Sequence, residues 1–161
     1  MKLLLDYKIE VHIKEGDKSK EKLTVFLREF NRVEKKEFTS IQKKFRSIFT
    51  RAQEISKKQI SLEKKAELYQ LAKQFDMAIK TMEKIEILEK DVEKLNQELC
   101  EIGGEDTMEF AEETSKKRFE LLVSGDDKER LAEYAEIKGY SKIMSALDSE
   151  KVALEKKHSG E

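Results

Sequence analysis

Proline and tryptophan are absent from this 161-residue chain, cysteine occurs once, histidine twice and glycine six times. Without proline, no helix interior has to break at a missing N–H. A single cysteine, Cys100, excludes an intramolecular disulfide and any metal site built on paired thiolates. The two histidines lie on the polar side of an alternating run (His12) and in a lysine-rich tail (His158), so neither is placed as a general base. No run approaches the roughly 18 apolar residues that span a bilayer. The start, Met1-Lys2-Leu3-Leu4-Leu5-Asp6, is charged too early for a secretory signal. A soluble protein of the reducing cytoplasm is therefore expected.

What the chain does have is charge. Charged residues make up 42% and hydrophobic residues 38%, a balance that concentrates apolar surface on narrow helix faces rather than in a thick core. The net charge of −1 hides a polarity along the sequence: 7 basic and 6 acidic residues over 1–31, 12 and 5 over 32–73, 14 and 23 over 74–161.

The central stretch is Asn31 to Ile102, which contains no glycine. Phe38, Ile41, Phe45, Ile48, Phe49, Ala52 and Ile55 recur at helical spacing. Further on, Ile85, Val92 and Leu99 share one heptad position and Leu88, Leu95 and Ile102 the other, a seam of coiled-coil grade. Asn31 followed by Glu34 is a capping-box start. Ser56-Lys57-Lys58-Gln59-Ile60-Ser61 interrupts the apolar rhythm and predicts an antiparallel hairpin of helices over about 31–57 and 62–101. One continuous helix with a phase shift is the rival reading, because lysine and glutamine are good helix formers. In the hairpin reading the first helix is shorter by about ten residues, roughly 15 Å, which leaves the far end of the heptad seam uncovered.

Before this stretch, Leu3, Leu5, Tyr7, Ile9, Val11 and Ile13 alternate with polar residues, the period of a half-buried strand. A polar loop over 15–21 and the β-rich Leu23–Leu27 complete a predicted hairpin. Its apolar face needs cover from the first helix, from a second copy or from a partner's strand. After it, Gly103-Gly104 marks a boundary. Capping pairs Asp106/Glu109 and Asp126/Glu129, with Gly139 as a stop, predict three short helices, the first running through about Val123, and the tail from Lys156 should fray. The expected fold is mostly helical α+β: a β-hairpin over 1–30, a long coiled-coil-like helical hairpin over 31–102 and a short-helix region over 103–161.

Chemistry finds little support. Cys100 is flanked by Glu98 and Glu101, the opposite of an electropositive thiolate setting. Gly103-Gly104 is followed by Glu105 and Asp106, which repel phosphate. Glu83, Glu86, Glu89, Asp91 and Glu93 alternate with lysines as a solvated helix face does, and Asp126-Asp127 reads as capping. No catalytic residue, metal site or cofactor is expected. Arg32, Lys35, Lys36, Lys43, Lys44, Arg46, Arg51, Lys57 and Lys58, interleaved with Phe38, Phe45 and Phe49, read as a nucleic-acid-binding helix only if the phenylalanines are available for stacking. Their core spacing argues that they are buried.

Leu23-Thr24-Val25-Phe26-Leu27-Arg28-Glu29-Phe30-Asn31-Arg32-Val33-Glu34-Lys35-Lys36-Glu37-Phe38 resembles the strand–turn–capped-helix start of small bacteriophage tail-assembly chaperones. Arg118-Phe119-Glu120-Leu121-Leu122, Ser124-Gly125-Asp126-Asp127 and Tyr134-Ala135-Glu136-Ile137-Lys138-Gly139-Tyr140 are similar to their C-terminal short-helix region. The resemblance implies a non-enzymatic protein of the host cytoplasm that binds a tape-measure protein and keeps its long amphipathic helices from aggregating. On that reading Ile85, Leu88, Val92, Leu95 and Leu99 would carry partner helices, while the strand edge at Ile9, Val11 and Ile13 would mediate self-association. The alternative from another class is an inhibitor or adaptor that sequesters a host protein through the acidic surface after residue 74, and steep salt dependence separates the two.

Overall fold

A computed structural model of the protein describes residues 6–104 and 106–159. Leu3 and Leu5, expected on the first strand, lie outside the described residues, as does the end of the tail. The chain forms two compact units, one from its beginning to Lys36 together with Met108 onward, the other Glu37–Thr107.

In the first unit, β1 (Tyr7–Glu15) and β2 (Lys18–Leu27) form the expected antiparallel hairpin. The polar stretch over 15–21 is strand for most of its length: the turn is only Gly16-Asp17, with Gly16 at φ 64°, where glycine carries no Cβ penalty. Alternation puts Ile9, Leu23, Val25 and Leu27 into the core and leaves Lys8, Glu10 and His12 exposed. The register is Tyr7↔Leu27 through Ile13↔Glu21, with an irregularity at Ile13/Lys14. A third strand was not anticipated. β3 (Val123–Ser124) lies where a helix end was expected and pairs antiparallel with β2, giving the order β1-β2-β3.

Within the chain, the hairpin's apolar face is covered by elements that were not among the expected candidates. It packs into one core with the C-terminal helices, through Phe119 and Leu122 of α3 (Thr107–Leu122), Leu131 and Ala135 of α4 (Lys128–Lys138), and Tyr140, Met144 and Leu147 of α5 (Tyr140–Ser159). Phe119 meets Tyr140 edge to face at 5.4 Å, the favoured aromatic geometry.

Two acidic side chains tie these elements by capping across the fold. The expected Asp126/Glu129 box is replaced: Asp127 precedes α4 without capping it, and its carboxylate accepts the Thr24 N–H at 2.7 Å, a strand amide beyond the reach of β3. Glu112 on α3 accepts the backbone N–H of Tyr140 and, at 3.1 Å, that of Ser141, capping α5 from another helix. Burial alone would raise the Glu112 carboxyl. The Ser141 and Tyr140 amides and the Ser141 hydroxyl outweigh it and hold the group below the usual carboxylate range. α5 runs on through the lysines expected to fray.

The second unit is a long antiparallel helix pair. α1 (Arg32–Leu71) starts at the expected capping box: Glu34 N–H donates to Asn31 Oδ1 at 2.8 Å, and Asn31 N–H to Glu34 Oε1 at 3.0 Å. It does not stop at Ser56–Ser61. Those residues have no backbone breaker among them, and Ser56 and Gln59 sit half-buried within the helix. The reversal comes instead at Ala72-Lys73-Gln74, with Lys73 at φ 62° and Gln74 N–H donating to Tyr69 O at 2.8 Å. α2 (Phe75–Ile102) then returns and closes on Gly103, whose N–H donates to Leu99 O.

Candidate partner-binding surfaces

With the turn at 72–74, α1 has 40 residues and α2 has 28, the reverse of the expected inequality. The second helix has no uncovered end for a partner to take. Of the five seam residues, Ile85, Leu95 and Leu99 are buried, while Leu88 and Val92 are half-buried. Phe45, Ile48, Ala52 and Ala66 are the buried residues of α1, and Gln59 Nε2 reaches Glu89 Oε1 at 3.3 Å across the pair. The small side chains Ala66 and Ala78, both buried, lie towards the turn, where the helices must converge.

The apolar surface left over lies on the flanks of this seam. Phe75, Ile79 and Met82, spaced i, i+4, i+7, share one face of α2 and are exposed, Phe75 at 59% and Ile79 at 55%. Leu71 is 81% exposed at the turn, and Ile60, three helical turns before it, is exposed on the same side of α1. In an antiparallel pair the same rotational flank of both helices falls on one side. A groove of about 410 Å³ on that side runs between Phe49, Gln53, Ser56 and Ile60 of α1 and Val92, Asn96 and Leu99 of α2. On the opposite side a more apolar groove of about 420 Å³ is lined by Lys58, Ser61, Leu62, Lys84, Ile87 and Leu88. Leu88 and Val92 thus reach grooves from the seam, one on each side.

Charge follows the sequence polarity. The basic residues of 32–71 sit exposed on α1, and Glu83, Glu86, Glu89, Asp91 and Glu93 sit exposed on α2. Phe45 is buried and Phe38 and Phe49 are half-buried, and Phe45 and Phe49 stack on each other at 5.6 Å, so these rings do not form the open stacking platform that base binding would need.

On the hairpin, Ile9 is buried and Val11 and Ile13 are half-buried, all three on the apolar face beneath the helices. Their side chains do not line the strand edge. What the outer edge of β1 offers is backbone. A polar cleft of about 270 Å³ in the same unit is lined by Arg28, Lys35, Arg118 and Lys151, among others. Three of these cations are in ion pairs: Arg28 with Glu34 at 2.7 Å, Arg118 with Asp148 at 3.1 Å and Lys151 with Glu29 at 2.9 Å. The cleft is a salt-bridged join between β2, α3 and α5 rather than an anion site.

His12 and Cys100 are both exposed. Among the described residues no group of histidine, cysteine, aspartate and glutamate has the geometry to hold a metal ion, and no helix is long and apolar enough to cross a membrane. No family model matches the chain, and neither a curated protein nor a solved structure is found to be similar to it.

Proposed function

We propose that this chain is a non-enzymatic protein-binding module whose α1/α2 pair receives amphipathic helices of a partner, in the manner of the phage tail-assembly chaperones its strand–turn–helix segment resembles. The observation that carries the reading is the apolar flank: Leu71, Phe75, Ile79 and Met82 remain exposed although the pair has filled its own seam. A helix laid along that flank would bury its i, i+3, i+4 and i+7 residues there. Its charged borders would meet basic α1 on one side and acidic α2 on the other, so the fitting partner is a long helix with a narrow apolar stripe and both signs of charge. A tape-measure-like protein has that chemistry. The seam residues Ile85, Leu95 and Leu99 would act by holding the pair together, and Leu88 and Val92 by lining its grooves.

The test is co-expression with long-helix proteins encoded beside this chain, followed by co-purification. Replacing Phe75 and Ile79 by glutamate should weaken capture at least tenfold, since it removes two anchors of the kind that dominate helix-in-groove binding, while helical circular dichroism stays unchanged. A doubly substituted, folded protein that captures as well as the original sinks the proposal. Leu95→Asp is not suitable for this purpose, because a buried seam position would unfold the pair.

A further inference from the structure

β1 is an edge strand. The sheet order is β1-β2-β3, and among the described residues no strand pairs with the outer side of β1. Which residues point their backbone outward follows from β2. Arg28 N–H donates to Leu122 O, Phe26 pairs with Ser124, and Thr24 N–H donates to Asp127, so the even-numbered residues of β2 turn their N–H and C=O away from β1. Their register partners Lys8, Glu10 and His12 must do the same in the opposite direction. The outer edge therefore offers the N–H and C=O groups of Lys8, Glu10 and His12. All three side chains lie on the exposed polar face.

Charged residues on an edge strand usually guard against pairing. Here their order is self-complementary. When β1 is set antiparallel to a second β1 by a two-fold axis, outward-facing residues oppose one another in pairs whose numbers have a constant sum. One register sets Lys8 against Glu10 of the second copy, Glu10 against its Lys8, and Asp6 against its His12. Shifting by two in one direction sets Glu10 against Glu10; shifting the other way sets Lys8 against Lys8. Shifts by one place the polar face of one copy beside the apolar face of the other. In the favoured register Tyr7 meets Val11 on the apolar side, where both are only half-covered by the chain's own helices.

We infer that β1 pairs with β1 of a second copy, antiparallel and two-fold symmetric, with Lys8 opposite Glu10, so that two three-stranded sheets join into one of six strands. This surface is separate from the α1/α2 flank and stands or falls independently of the partner-helix proposal. An edge contact of this length buries little area, so the dimer should dissociate on dilution and at high salt.

Charge reversal tests the register. Lys8→Glu alone sets carboxylate against carboxylate at both symmetry-related pairs, and Glu10→Lys alone sets ammonium against ammonium there. Each single variant, checked for folding by circular dichroism, should fall twofold in mass by light scattering, from dimer to monomer. An equimolar mixture of the two variants should return to the dimeric mass, because each then faces the opposite sign. Amide exchange supplies the second readout: the N–H groups at positions 8, 10 and 12 should be protected in the dimer and lose that protection in each single variant. A wild-type protein that stays monomeric at every concentration, dimers that survive both single reversals, or a mixture that remains monomeric overturns the inference.

Discussion

Glu34 does two jobs at the start of α1: it closes the capping box with Asn31 and receives both guanidinium N–H groups of Arg28, at 2.7 and 2.9 Å. The Arg28 hydrogen bonds, then the Asn31 amide, lower its carboxyl from 4.5 to about 2. A carboxylate depressed in the folded state contributes stability that is complete above its ordinary value and is lost as pH falls through the folded one. The contribution of Glu34 should therefore be intact at neutral pH and disappear between pH 4.5 and about 2. Urea midpoints of wild type and Glu34→Gln should differ near neutrality and converge across that window; a gap that persists at the acid end would contradict it. The capping box was legible because it is local, a side chain and an amide three residues apart. Glu112 and Asp127 were not, since they cap or satisfy amides 28 or more positions away in the chain. No local pattern announces such a partner.

At the scale of elements, the helix pair was legible and its turn was not. Heptad spacing located the seam, and Ile85, Leu95 and Leu99 are buried in it. The reversal was expected where the apolar rhythm falters, at 56–61, but a lapse in rhythm costs a helix little when Lys57, Lys58 and Gln59 are good helix formers and neither glycine nor proline interrupts the stretch. The turn that forms needs one residue at positive φ and uses Lys73 for it. Asp76 in the first turn of α2 was the available signal, an acidic residue at a positive helix terminus. Lys73→Gly should remove a left-handed backbone cost of about 1 kcal/mol, partly offset by the greater freedom of glycine in the unfolded chain, and so raise the melting temperature slightly. A fall in melting temperature would show that the turn depends on the lysine side chain. β3 was missed for the opposite reason: two residues, Val123 and Ser124, are too few to show alternation.

At the scale of the whole molecule, the helix pair is an insertion. The unit that contains the sheet is made of the two ends of the chain, with residues 37–107 between them. Reading the sequence in order separates the β-hairpin from the short helices, and only the structure reveals that Phe119, Leu131 and Met144 cover Val25 and Leu27. A chain in which a flexible glycine–serine linker replaces 37–107 should retain the mixed α/β circular dichroism and cooperative unfolding of the first unit. Loss of cooperativity would show that its core needs the inserted pair.

That insertion also sets an order of events during synthesis. The helix pair is built from neighbours along its own length and can close as soon as it leaves the ribosome. The β-hairpin emerges first, yet its cover is encoded beyond residue 107. At roughly 5–20 residues per second, the ribosome takes several seconds to traverse the insertion. For that interval Leu23, Val25 and Leu27 would stand uncovered on the nascent chain, a window in which a holding chaperone, or the hairpin of a neighbouring nascent copy, would find them first.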